Sequence, residues 1–344
     1  MRVSVLIPCH NEQAGIAACV RSCLLQTRPP DEIIVVNDGS TDRSGEILDS
    51  FGDLIRHVRR SPASGNKSYA QELGLRFVTG DVFITTDGDT ELHPEFVERA
   101  VADFERFPEA AALGGYIQSQ RHNWLTSCRA FEYAIGQNLH KLAQHHLGYL
   151  FVIPGPAGVF RSDIFREYIA FEHDTLTEDL DFTYRLHAHD LPILYDDRLV
   201  VYTQDPATIH SYINQMRRWF GGGWQCLLKH RGLITRKPRI ALELSMIYME
   251  GTLFAILLFV LPLLNLALFV RLIGLYLLLL FGFALFASIR ERRVDLLFIP
   301  PLYVLIVAIN AYLLIEQGIQ EMLLGRRERK WFQPERFVRR RAAK

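Results

Sequence analysis

Three stretches of this chain run without a charged residue for about the width of a bilayer: Gly251 to Val270, Leu272 to Ile289 and Leu296 to Ile315. A helix needs about 20 predominantly apolar residues to cross a hydrocarbon core of about 30 Å. The helices of a soluble core alternate apolar with polar positions, and these runs do not. They predict a membrane region over residues 236–320 with about three hydrophobic segments. Residues 1–235, where short apolar runs alternate with turns and charges, read as a separate soluble head. The first apolar run, Val3 to Ile7, is far too short for the core of a secretory signal. The head is therefore expected in the cytoplasm, and the chain as a multi-pass protein of the cell inner or plasma membrane.

Charge is patterned locally. Lys and Arg balance Asp and Glu at 38 each, so no global field points to nucleic acid. The last nineteen residues are different, crowding Arg326, Arg327, Arg329, Lys330, Arg336, Arg339, Arg340, Arg341 and Lys344 into a tail over 321–344. Such a tail is attracted to the anionic lipid of a cytoplasmic leaflet; as a merely solvated segment it needs no such partner. A cytoplasmic head followed by three spans puts this tail outside, against the positive-inside tendency. The expected resolution is that Pro300-Pro301 breaks the third run into a re-entrant hairpin, or that one run lies in the interface. The five cysteines form no CxxC pair, as expected for free thiols in a reducing compartment.

The head alternates strand-like and helix-like segments, the pattern of an α/β domain with a parallel sheet. Val3 to Ile7, Ile33 to Val36, Leu54 to Val58 and Val82 to Thr86 read as strands. Ala14 to Gln26, Thr41 to Phe51 and Lys67 to Val78 read as helices between them. Further on come a strand at Leu113 to Ile117, a long helix at Trp124 to His146 and a Gly/Pro-broken loop at Ile153 to Phe160. A helix at Asp179 to His187, a strand at Ile193 to Tyr202 and a helix at Ile209 to His230 complete the head. In doubly wound sheets ligands collect at the carboxyl ends of strands. Here those ends read Pro8-Cys9-His10-Asn11-Glu12, Asn37-Asp38-Gly39-Ser40 and Asp87-Gly88-Asp89, a poor way to build a core and a good way to build a site.

Each motif has a chemical and a structural reading. Asp87 and Asp89 are hard oxygen donors suited to Mg²⁺ or Mn²⁺, which bridges nucleotide phosphates; acidic turns with Gly are also common without a metal. Asp38 can accept hydrogen bonds from a base or ribose, or simply cap the helix after it. Lys67, entering a helix, can meet a phosphate near that amino terminus or lie on the surface. Thr177-Glu178-Asp179 opens a helix, and Thr175 to Glu178 fits a capping box. Three acids in four residues, Glu178, Asp179 and Asp181, exceed what one cap requires, and a carboxylate there can take the proton of an acceptor hydroxyl. Gln215, Arg218 and Trp219, spaced i, i+3 and i+4, share one helix face. Such a face offers a guanidinium to a diphosphate and an indole to a sugar.

In order and spacing these residues resemble the family 2 inverting glycosyltransferases that include the cellulose, chitin, hyaluronan and poly-N-acetylglucosamine synthases. The resemblance rests on Ile7-Pro8-Cys9-His10-Asn11-Glu12, Asp38-Gly39-Ser40, Asp87-Gly88-Asp89, Thr177-Glu178-Asp179 and Gln215-x-x-Arg218-Trp219, and covers roughly residues 1 to 235. It implies a GT-A (Rossmann-like) head that binds a UDP-sugar through Pro8, Asn11, Glu12, Asp38, Lys67, Asp87, Gln215 and Arg218. Asp89 would hold the metal, Asp179 with Glu178 would be catalytic, Asp179 as general base, and Trp219 would support the acceptor sugar. The implied reaction moves a hexose or N-acetylhexosamine to a growing polysaccharide with inversion. The resemblance departs in two ways: the chain begins directly with its first strand, and three spans are few for an export channel. A polar chain crossing hydrocarbon must be wrapped by protein, which calls for an oligomer, an export partner or a short product. Glycolipid-forming relatives carry a similar Q/R-x-x-R-W motif, so a lipid acceptor with one or few transfers is the alternative.

Overall fold

The computed structural model describes residues 1–325 and Phe337; the basic residues from Arg326 to Lys344 lie outside the described residues. In chain order the strands are β1 (Val3–Cys9), β2 (Glu32–Asp38), β3 (Arg56–Arg60), β4 (Val82–Thr85), β5 (Glu91–Leu92), β6 (Ala112–Ser119), β7 (Gly158–Arg161) and β8 (Ile193–Thr203). The helices are α1 (Ile16–Leu24), α2 (Ser44–Asp49), α3 (Lys67–Leu75), α4 (Phe96–Arg106), α5 (Trp124–Ile135), α6 (Leu142–His146), α7 (Ser162–Ile164), α8 (Glu178–Ala188), α9 (Ile209–Lys229), α10 (Arg231–Arg236), α11 (Pro238–Ala255), α12 (Leu261–Leu264), α13 (Leu266–Glu291) and α14 (Pro300–Gly318). Among the described residues they form two units, one built from Met1–Gln118, Lys141–Gln204 and Phe337, the other from Ser119–His140 and residues 205–325.

The first unit is one sheet in the order β3-β2-β1-β4-β7-β6-β8-β5. β3, β2, β1 and β4 run parallel, while β7 is antiparallel to both β4 and β6. β1 is buried at every position, as a parallel strand covered on both faces must be. Its side chains alternate between two cores: Val3, Val5, Ile7 and Cys9 enter one, and Leu6 enters the other. α1 turns Ile16, Cys19, Val20 and Cys23 toward the first of these, so this cysteine pair is a packed helix face. All five cysteines are free and buried, and burial with the Glu12 charge pushes the Cys9 thiol up to about 12.

Three expectations from the sequence need correction. The Gly/Pro-broken loop gives way at Gly158 to β7, with Gly158 paired to Thr85 and Val159 to Ile84 in mid-sheet; four residues after a Pro-Gly-Pro turn are too few to show a strand's period. The helix expected over 124–146 is interrupted by a π-helical stretch at Gly136–Lys141. The expected re-entrant hairpin is absent, because Pro300 and Pro301 occupy the first turn of α14. Proline is tolerated there, where its missing N–H has no intrahelical acceptor.

In the second unit three helical stretches are long and apolar enough to cross a membrane: Pro238–Leu264, Leu266–Glu291 and Pro300–Leu323. The first two divide at Asn265, whose side chain caps α13 by accepting from the Leu268 N–H at 3.0 Å, so the break falls inside the first uncharged run. Leu263 and Leu264 are 85% and 77% exposed, a surface suited to lipid and not to water. α14 differs, since its Asn310 accepts from the Tyr212 hydroxyl at 2.8 Å and its Glu316 accepts from Arg217 at 2.8 and 2.9 Å. Both partners belong to α9.

Candidate active site

At the end of β1 the chain turns sharply, with Asn11 in the left-handed region at φ 53°. The Asn11 side chain accepts from the Thr41 N–H at 2.8 Å, and its own N–H donates to the Ser40 hydroxyl at 2.9 Å. Pro8 lies in β1 opposite Val36. Asp38 is buried at the end of β2. Its carboxylate accepts from the Ser64 N–H at 3.0 and 3.1 Å and from the Ser64 hydroxyl, with Arg60 at 3.5 Å. It therefore organises the loop before α3 and does not cap α2. Gly39, at φ 64°, is required beside it, since a Cβ there would lie 2.5 Å from the Ala63 nitrogen.

The acidic turn after β4 packs against the start of α1. A Cβ on Gly15 would meet the Asp89 Cα at 2.9 Å, and one on Gly88 would meet the Glu12 side chain at 3.1 Å. Glu12 is buried, as is Asp89, which accepts from the Thr90 hydroxyl at 3.0 Å. Asp87 is directed to Lys67, whose ammonium lies 2.6 Å from Asp87 Oδ1 and 2.9 Å from Glu178 Oε1. Burial draws the pKa of this ammonium down, but the two carboxylates outweigh it and hold the group above the ordinary lysine range. Lys67 is thus no surface lysine. It is the cation on which the β4 turn and the first turn of α8 converge.

Asp179 completes this corner. A Cβ on Gly155 would sit 3.5 Å from Lys67 Nζ and 3.6 Å from Asp179 Oδ2, so glycine keeps open the space between the amine and the carboxylate. The strand before and the helix after hold this loop in place: the Thr85 hydroxyl donates to the Gly155 carbonyl at 2.8 Å, and the Ile153 N–H donates to Thr183 Oγ1 at 3.0 Å. The Thr183 hydroxyl donates in turn to the Asp179 carbonyl at 2.6 Å. The capping-box reading of this segment fails, because Thr177, the N-cap of α8, makes no side-chain cap bond. A cap does not account for the acids of α8.

Patterning gives no signal for a second amine in the same unit. Lys141, the last residue of the π-helical stretch, donates to the Val152 carbonyl at 3.2 Å. Burial draws its pKa down to about 7 against the opposing pull of Asp179. Gly155 is likewise visible in the sequence only as a loop breaker.

The oxygen donors of Asp87 and Asp89 fit a hard divalent ion. The Lys67 ammonium already seated on Asp87 shows that the turn holds positive charge. Glu172, Asp174 and Asp181 also come close enough together to hold an ion, but Arg185 pairs with Glu172 and with Asp181, so charge there is offset from within.

In the second unit, Gln215 is buried on α9 and its Oε1 has no hydrogen-bond partner among the described residues. Arg218 and Trp219 on the same helix are half-buried. Arg129 lies over the Trp219 ring at 5.0 Å.

A sheet parallel at one end, with antiparallel strands at the other and acids gathered at strand ends, defines an α/β head with its candidate site at those ends. Residues 4–168 match the model of Glycosyl transferase family 2, and the chain carries a domain of that family. It is 26% identical over 247 residues to a poly-beta-1,6-N-acetyl-D-glucosamine synthase of Staphylococcus epidermidis, an alignment covering 71% of this chain and 60% of that protein. The chain thus spans about six-tenths of the length of the curated relatives it matches. Among solved structures, the mannosyltransferase PcManGT from Pyrobaculum calidifontis, in complex with GDP-Man and Mn²⁺, superimposes with TM-score 0.61. Its identity is 16%, over 94% of this chain and 87% of that one. S. aureus TarS 1-349 in complex with UDP-GlcNAc gives TM-score 0.55 at 17% identity, over 93% and 92% of the two chains. The fold is of the GT-A type.

Proposed function

We propose that the chain is a membrane-bound inverting glycosyltransferase that moves a hexose or N-acetylhexosamine from a UDP-sugar to a growing polysaccharide. The observation carrying this reading is the corner where Lys67 holds Asp87 and Glu178 while Asp179 flanks the open space at Gly155. Asp179 takes the acceptor hydroxyl's proton, and the oxygen so activated attacks the anomeric carbon from the face opposite the departing diphosphate. Glu178, paired with Lys67, keeps the first turn of α8 in register with the β4 turn. Pro8, Asn11, Glu12 and Asp38 form the nucleotide-side wall, where Asp38 would have to share its carboxylate between the uridine and Ser64. Asp89, together with Asp87, would hold Mg²⁺ or Mn²⁺, which when bound supplies charge neutralisation for the diphosphate. In the second unit Gln215 and Arg218 offer an amide and a guanidinium of the kind that binds phosphate, and Trp219 offers an indole suited to an acceptor sugar. Residues 1–235 serve as the cytoplasmic head and 236–320 as the membrane region, whose exposed leucines favour a bilayer.

The proteins it resembles support the donor class: one is named for N-acetylglucosamine polymer synthesis, and one was solved with UDP-GlcNAc. Nucleotide release from a panel of UDP-glucose, UDP-N-acetylglucosamine and GDP-mannose tests the reading. Release from a UDP-sugar is expected, and no release from any donor at any divalent-metal concentration sinks it. Sizing of the labelled product then separates a water-soluble polymer, as expected, from a butanol-extractable glycolipid.

A further inference from the structure

Arg129 on α5 is a large side chain at the centre of the second unit, 1% exposed, and no motif of the sequence accounts for it. Its guanidinium lies 5.0 Å from the Trp219 ring centroid, 4.6 Å from that of Tyr133 and 5.8 Å from that of Tyr212. It pairs with Glu132 one turn on and lies 3.4 Å from Asp205 Oδ1. Tyr133 closes the group, accepting from Arg129 at 2.9 Å and donating to Asp205 Oδ1 at 3.1 Å. The other oxygen of Asp205 is buried without a hydrogen-bond partner among the described residues, and Arg129 is the cation that offsets its charge there. Burial lowers the guanidinium's affinity for its proton, but Glu132 and its neighbours more than restore it.

We propose that Arg129 is the positioning residue of Trp219, fixing the plane and height of the indole that supports the acceptor sugar. The inference rests on the acceptor role given to Trp219 above. Three features carry it. The contact is a cation over an aromatic face, an interaction with a preferred geometry. The cation is itself immobilised by Glu132 and Asp205, so the indole is referenced to a fixed point. The start of α5 is tied to the segment entering α9, since the Asn123 side chain donates to the Ala207 carbonyl at 2.7 Å and Thr208 caps α9 by accepting from the Ser211 N–H at 3.2 Å. Lysine cannot substitute here, because an ammonium keeps the charge but loses the planar surface and the fork that reaches two carboxylates.

The test uses the full chain in detergent, with a β-linked N-acetylglucosamine tetrasaccharide as acceptor probe and the sugar nucleotide that gives turnover. In R129K the acceptor KM is expected to rise about tenfold while kcat at saturating acceptor changes less than threefold. In the double variant R129K/W219F, the acceptor KM should match that of W219F alone. The emission attributable to Trp219, taken as wild type minus W219F, should shift in R129K. Effects of R129K and W219F that multiply, or a kcat loss as large as the KM change, overturn the proposal by making Arg129 a general packing residue. An unshifted Trp219 emission overturns it too. An acceptor KM unchanged in W219F would instead remove the acceptor role of Trp219, with the emission measurement still deciding whether Arg129 holds the ring. If R129K does not fold, Asp205→Asn loosens the same clamp. It is expected to move acceptor KM and Trp219 emission in the same directions, and no movement of either overturns the proposal.

Discussion

Each unit buries a cation between two carboxylates, and the two centres are built from different chemistry. Lys67 in the first unit holds Asp87 and Glu178 with a compact ammonium on a four-carbon stem. Arg129 in the second unit holds Glu132 and Asp205 with a planar fork packed among rings. A lysine contact has little directional demand, so the acids it holds can turn to another cation while their charge stays offset. An arginine stacked on aromatic faces has one geometry. The difference matches the proposed labour: the first unit must exchange its partners when a nucleotide sugar and metal enter, whereas the platform for the acceptor must stay still.

The largest effect expected in the head is that of Asp89→Ala, which should reduce turnover to background and abolish its response to added Mn²⁺. A variant that keeps both would break the assignment of the β4 turn as the cation-holding side of the comparison. Next comes Asp179→Asn, expected to lower transfer by about 10²–10⁴-fold, the range of general-base catalysis, with the sugar-nucleotide dissociation constant changed less than about threefold. Lys67→Met should destabilise the fold by about 3 kcal/mol, the low end for breaking a buried pair because Asp87 stays partly exposed. Denaturant unfolding of the head measures this. A neutral result would show that the acids of this corner do not depend on Lys67.

The smallest effect concerns Lys141, a half-buried amine with one carboxylate acting on it. Its folded pKa, drawn by burial to about 7, lies below its ordinary value of 10.5. Below about 7 both folded and unfolded chains keep the proton. Between about 7 and 10.5 only the unfolded chain keeps it, so this residue makes stability rise with pH across that window. The thermal midpoint of wild type should therefore climb relative to Lys141→Met between pH 7 and pH 9, and parallel profiles would contradict it.

What the sequence discloses is mainly what local physics governs. The β-branched runs of β1 and β2 announce strands because both faces are buried. The acids at strand ends stand out because nothing in a core wants them. The uncharged runs announce their helices, although Asn265 moves the boundary between the first two. The less legible part depends on partners far apart in the chain. Lys67 is ambiguous until the fold brings Asp87 and Glu178 to it, and the apparent capping box at Thr175 to Glu178 dissolves once the side-chain bonds are seen. β7 is hidden because its strand character comes from pairing with β4 and β6. Arg129 and Lys141 follow no spacing rule, since their environment is supplied by elements packed around them.

The most direct test of the central claim is to measure UDP released from UDP-N-acetylglucosamine and UDP-glucose by the wild-type chain and by Asp179→Asn in the same membranes, with Mn²⁺ present. The account predicts release by wild type with at least one of the two donors, and loss of about 10²-fold or more in the variant despite retained donor binding. Equal release by the two proteins would contradict it.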